Sequence, residues 1–173
     1  MQHSRIIIAI AAGLAAALAV AGGRPDQVAL PAGYAAAFEH YATMNRAGSA
    51  AVAKVYANDI AIASYRAGTG AAPGSIIVME VHKPQKDADG NLVVGSDGIN
   101  ETAGMAAIAV MERRDSWPAG YADSERAGGW GFAIYNPDGS VKDNDLACVS
   151  CHMPLQGQDY LFSQQRLRDY VRM

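Results

Sequence analysis

The chain has 173 residues with a formal net charge of −3, and 50% of them are hydrophobic. That length suits one compact domain with a sizeable core, and the 14 basic residues are too scattered to form the stripe that nucleic acid requires. Only two cysteines are present, which excludes the disulfide framework of a small stapled domain.

At the start, Arg5 precedes the apolar run IIIAIAAGLAAALAV, and small residues at Ala19 and Ala21 suit cleavage after Ala21. This is the three-part layout of a secretory signal. It assigns residues 1–21 to a signal peptide, residues 22–173 to the mature domain, and the protein to the periplasm or an equivalent exported location. An uncleaved anchor is the alternative, but the alanine and glycine content makes the run weakly hydrophobic. No later segment is apolar enough to span a bilayer, so no membrane association is expected after cleavage.

From Leu30 onward, Tyr34, Phe38 and Tyr41 recur at helical spacing among alanines, which predicts a helix stopped by Gly48. KVYANDIAIASYRAGTG divides at Asn58 into a short strand and a helix capped by Asn58 or Asp59. SIIVMEVHK is β-branched and apolar, a strand bounded by Pro73-Gly74 and Pro84. DADGNLVVGSDGIN is turn chemistry around LVV. GMAAIAVMERRD gives a second strand, although its alanines also allow a helix. GGWGFAIYNPDGS gives a third, closed by a Pro-Asp-Gly turn. A helix over Asp143–Cys151 is expected to carry the cysteines, and another follows Phe162, with Arg166, Arg168 and Arg172 on its solvated face. Helices flanking consecutive strands predict an α+β fold with a mainly antiparallel sheet.

The chemistry concentrates in CVSCH, residues 148–152, which holds both cysteines and a histidine. This is the attachment signature of a c-type haem. Two thiols three residues apart reach the two vinyl groups from one helical turn, and the adjacent imidazole binds the iron. The expected roles are thioether formation by Cys148 and Cys151 and axial metal ligation by His152, holding a single covalent haem c near the C-terminus. A zinc site would need four ligands, and His3, His40 and His82 form no motif with the cysteines. A thioredoxin-like pair would sit early in a βαβ unit, not at the end of the chain.

Seven stretches in order resemble the cytochrome P-460 and cytochrome c-prime-beta family: LPAGY at 30–34, VYAN at 55–58, YRAGTG at 65–70, GSIIVMEV at 74–81, AGGWGF at 127–132, CVSCH at 148–152 and DYLFS at 159–163. The resemblance implies an antiparallel sheet with flanking helices, a five-coordinate haem and a homodimer. It also implies one of two activities. Cytochromes P-460 oxidise hydroxylamine, using a lysine bonded to the haem rim and a carboxylate over the iron. The c-prime-beta members lack that bond and bind nitric oxide or carbon monoxide in an apolar pocket.

By this resemblance Met79 falls where the lysine is expected and Met111 where the carboxylate is expected. An extended strand puts Met79 on one face with Ile77 and Val81, and Glu80 on the other. Lys83 would share the Met79 face if the strand continued. A one-residue slip would reverse the faces. Tyr56 is expected to line the distal side or a dimer interface, and Trp130 to stack near the haem edge or fill the core. Phe132 and Tyr135 lie on opposite faces of a straight strand, so one of them faces the haem. Met79, Met105, Met111 and Met153 are candidates for a sixth ligand, with core filling as the commoner role for each. His82 is a further candidate ligand, but a histidine at a strand end is more often exposed.

A methionine-lined pocket offers no base for oxidising hydroxylamine. The expected function is therefore binding of a small gaseous or nitrogen-containing ligand. Hydroxylamine oxidation, with electrons passed to a soluble cytochrome, is the first alternative. Met/His electron transfer is the second.

Overall fold

The computed structural model describes residues 22–173, so the expected signal peptide lies outside the described residues. Within them, no helix is long and apolar enough to cross a membrane. Five strands form one antiparallel meander in chain order: β1 (Glu39–Asn45), β2 (Val52–Ala57), β3 (Ile76–Pro84), β4 (Thr102–Arg113) and β5 (Trp130–Tyr135). Four helices accompany them: α1 (Tyr34–Ala37), α2 (Asp59–Arg66), α3 (Cys148–His152) and α4 (Gln164–Tyr170). The fold is α+β, as the alternation of apolar runs and turns predicts.

Each face of the sheet carries its own apolar cluster. One gathers Val55, Ile77, Met111, Trp130 and Phe132 with residues of α2 and α4, and Met79, Cys148 and Val149 pack against it. The other gathers Val78, Ile108, Val110 and Tyr135 with Val28, Tyr34 and Tyr121. Strand alternation sorts them, because successive side chains point to opposite faces. Register is shared across the sheet: Val55 faces Met79, Met79 faces Ala109, Ile77 faces Met111, and Met111 faces Phe132.

Two expected helices are corrected. The helix from Leu30 to Gly48 stops at Ala37, and residues 39–45 become β1. The aromatics that suggested one helical face go to opposite sides of the sheet, Tyr34 to one cluster and Tyr41 to the other. Alanines 35–37 keep their helical form in α1, while residues 39–45, with a single alanine, pair with β2 instead. The helix over Asp143–Cys151 shrinks to Cys148–His152. Asn144 accounts for part of this: its side chain bonds Lys142 O and Leu146 N at 2.9 and 3.1 Å, competing with helical bonding. The GMAAIAVMERRD segment takes its strand form as β4.

Asn58 ties β2, α2 and β3 together. Its Oδ1 accepts from Ala61 N at 3.1 Å, which caps α2, and from Ile76 N at 3.0 Å; its Nδ2 donates to Gly74 O at 2.9 Å. Replacing Asn58 with alanine removes the cap and leaves partners unpaired. The expected loss is about 1–3 kcal/mol, measured by urea unfolding.

Candidate haem site

α3 is one short turn of helix that places Cys148 and Cys151 one turn apart, with Cys151 N bonded to Ala147 O at 3.2 Å. Both cysteines are free thiols; Cys148 is half-buried and Cys151 exposed. Burial pushes the Cys148 thiol pKa up. His152 packs against Phe132 of β5 with ring centroids 4.9 Å apart, and against Phe162 at 5.0 Å. The motif therefore sits over the sheet face that carries Val55, Ile77, Met79, Met111 and Phe132.

The imidazole is held in one orientation. Its Nδ1 lies 2.7 Å from the carbonyl oxygen of Tyr160. A carbonyl only accepts, so Nδ1 carries the proton and Nε2 keeps its lone pair. Burial lowers the His152 pKa, partly offset by that hydrogen bond, which favours the neutral ligand form. Metal-binding histidines are oriented by this kind of partner on the second ring nitrogen.

The carbonyl is itself positioned by strain. Asp159 and Tyr160 have φ of 52° and 61°, two consecutive left-handed residues that are not glycine, each costing about 1–3 kcal/mol. Asp159 is anchored by Arg113 at 2.8 Å, by the Tyr65 hydroxyl at 3.0 Å and by Ala71 N at 2.7 Å. The Tyr160 ring lies where a Cβ on Gly128 would come within 2.5 Å of it. Sequence reasoning gave DYLFS and GGWGF as matching stretches without these roles. Asp159 is visible only through contacts with residues 46 to 94 positions away.

The face beneath the motif has room on it. Met79, Val81, Ala107 and Ala109 point to the same side as buried Ile77 and Met111 yet are only half-buried. Leu146, Met153 and Phe162 are exposed around the motif, at 54%, 48% and 62%. Trp130 is fully buried, with its Nε1 lacking any hydrogen-bond partner. A buried donor without an acceptor is costly. Together the half-buried strand residues and the exposed apolar side chains make an apolar cradle with small alanines on its floor.

The family model for cytochrome P460 matches residues 31–163. The chain belongs to the cytochrome P460 family. No curated protein matches the sequence. Membership implies a haem cofactor, and the residues present fit one. Two thiols, one imidazole with a free Nε2 and an apolar cradle suit a haem c. Among the described residues no group of three or more His, Cys, Asp and Glu gathers to hold a bare metal ion.

Other expected site residues divide between the two faces. Met79, Met111, Trp130 and Phe132 lie on the motif's side. Tyr56 does not: it is paired with Val78 and packs with the opposite cluster, its ring 5.6 Å from that of Tyr34. The expectation that Tyr56 lines the haem side is corrected, since Val55 takes that face. Met105 packs with the opposite cluster, and so does Tyr135, whose hydroxyl donates to Val28 O at 2.6 Å. His82 is not exposed but buried, with Nε2 2.8 Å from Glu80; Glu80 also accepts from the Tyr34 hydroxyl at 3.0 Å. This pair points to the sheet face opposite the one His152 packs against, so His82 does not face the cradle.

Gly128→Ala places a methyl against the Tyr160 ring at a positive φ of 59°. The expected result is a loss of about 1–3 kcal/mol together with a shifted His152 Nδ1 resonance in ¹⁵N NMR. An unchanged resonance would separate Tyr160 packing from imidazole orientation.

Proposed function

We propose that this family member is an exported mono-haem c-type cytochrome that binds small uncharged ligands such as nitric oxide or carbon monoxide. In this reading Cys148 and Cys151 hold the haem through thioethers, His152 is the axial ligand, and the iron is five-coordinate. The haem supplies a ferrous centre with one open position. The chain's own residues do the rest. Tyr160 fixes the ligand tautomer, while Met79, Met111, Ile77 and Val81 keep the cradle apolar and poor in ordered water.

One observation carries this choice: the acids beside both methionines are turned away. Glu80 bonds Tyr34 and His82 behind the sheet, and Glu112 bonds Arg114 at 2.6 and 2.9 Å. Asp159 has its oxygens engaged by Arg113, Tyr65 and Ala71. Hydroxylamine oxidation needs a base to take protons, and the methionine side of the cradle provides none. Nitric oxide and carbon monoxide need no proton transfer to bind.

Lys83 gives the alternative a foothold. It belongs to β3, pairs with Gly104, and follows Ile77, Met79 and Val81 on the same face at the exposed end of the strand. A bond from Lys83 to the haem would fit an oxidoreductase that passes electrons to a soluble cytochrome. Met79 or Met111 as a sixth ligand would fit electron transfer alone. A homodimer belongs to the first reading through its resemblance to the c-prime-beta proteins.

Protein matured in a host that assembles c-type cytochromes is expected to show a mass of polypeptide plus one haem, and a reduced spectrum that shifts with carbon monoxide. Colourless protein with both thiols reactive would overturn the proposal. A lysine–haem peptide would favour the oxidoreductase, and a low-spin spectrum indifferent to carbon monoxide the electron carrier. Met111→Glu is expected to weaken carbon monoxide binding about tenfold or more, by placing a hydrated charge in the cradle.

A further inference from the structure

Away from the haem cradle, α2, α4 and the residues that follow each of them border an open pocket of about 130 Å³ lined by Tyr65, Arg66, Arg168, Val171 and Arg172, with Gly68 and Gly70. The C-terminal arginines were expected on a solvated helix face. For Arg168 that is corrected: it is half-buried, and its Nε is inaccessible and lacks a hydrogen-bond partner. The residue that joins it, Arg66, comes from a helix about a hundred residues earlier in the chain.

The three guanidinium groups around this hollow are not neutralised by carboxylates, in contrast to four others. Arg24, Arg113, Arg114 and Arg126 each pair with a carboxylate. Among the described residues, Arg66, Arg168 and Arg172 have no such partner. Asp159, reached by the Tyr65 hydroxyl, is committed to Arg113 and Ala71 as well. Arg66 and Arg168 lie in the last turns of α2 and α4, where the helix dipoles favour cations. This placement gives the buried Nε no acceptor. In a chain of net charge −3, three unpaired cations around one hollow make a local field that attracts anions. Guanidinium forks match the paired oxygens of an oxyanion.

We propose that this cavity is a binding site for a small oxyanion, held by the guanidinium groups of Arg66, Arg168 and Arg172 that line it. The size suits a single phosphate or nitrite rather than a nucleotide. The site is separate from the haem reading and does not depend on it.

The test uses the full haem-loaded chain in buffer of low ionic strength, titrated with inorganic phosphate and with nitrite by calorimetry. Saturable one-to-one binding is expected for at least one of the two. Arg168→Met is expected to weaken it about tenfold or more, whereas Arg46→Gln, which removes an exposed charge outside the cavity, leaves it unchanged. Thermal unfolding gives a second readout. The bound anion should raise the midpoint of the wild type but not of Arg168→Met. Absence of saturable binding, or equal weakening by Arg46→Gln, would overturn the proposal.

Discussion

The structure depends on β3 being committed on both faces at once. It lies in the middle of the meander, hydrogen-bonded to β2 and β4. Its side chains therefore have no freedom to choose sides. Met79 goes to the cradle, while Glu80 goes to the back of the sheet, where Tyr34 and His82 receive it. A slip of one residue would expel the thioether and drive a carboxylate into an apolar cluster without partners. Such a swap is penalised heavily, because a buried charge lacking its partner costs several kcal/mol. The polar pair behind the sheet thus helps set what the front presents.

A similar division of labour governs the motif. α3 is too short to hold its own orientation, so the constraint comes from the segment that follows. Two left-handed residues turn a carbonyl toward His152, and a salt bridge, a tyrosine and a backbone amide hold the first of them in place. Gly128 contributes by having no side chain, leaving room for the Tyr160 ring. Residues far apart in the chain, on α2, β4 and the loop after α3, converge on the aim of one imidazole. Strain of this kind persists only where surrounding structure over-determines it.

Much of this was legible from residues alone. The strand around Met79 and the helix start at Asn58 or Asp59 could be read directly, since each is set by local chemistry: β-branching, and a side-chain acceptor at a helix start, a role the structure gives to Asn58. Tyr56 could not be placed, because its face depends on the register with β3 and not on its neighbours in VYAN. β1 is hidden by the helical spacing of Tyr34, Phe38 and Tyr41, which continues across the end of α1 into a segment that pairs with β2. The burial of His82 is not visible locally, because its partner Glu80 is itself held by Tyr34, 48 positions before His82 in the chain. Arg168 was misjudged for a related reason: Arg66 is brought to it by the packing of α2 beside α4.

The borders of the sheet have a consequence of their own. Beyond β5, Arg24 N bonds Phe132 O at 2.6 Å and Lys142 N bonds Ile134 O at 3.1 Å, so that margin is already taken. At the other margin, β1 is bent by a bulge between His40 and Ala42 and starts with a carboxylate at Glu39. Among the described residues, the β5 border is covered and the β1 border is interrupted near its start, which makes each a poorer template for a foreign strand. Both borders of the described sheet thus carry features that disfavour edge-to-edge ribbon growth from the native fold.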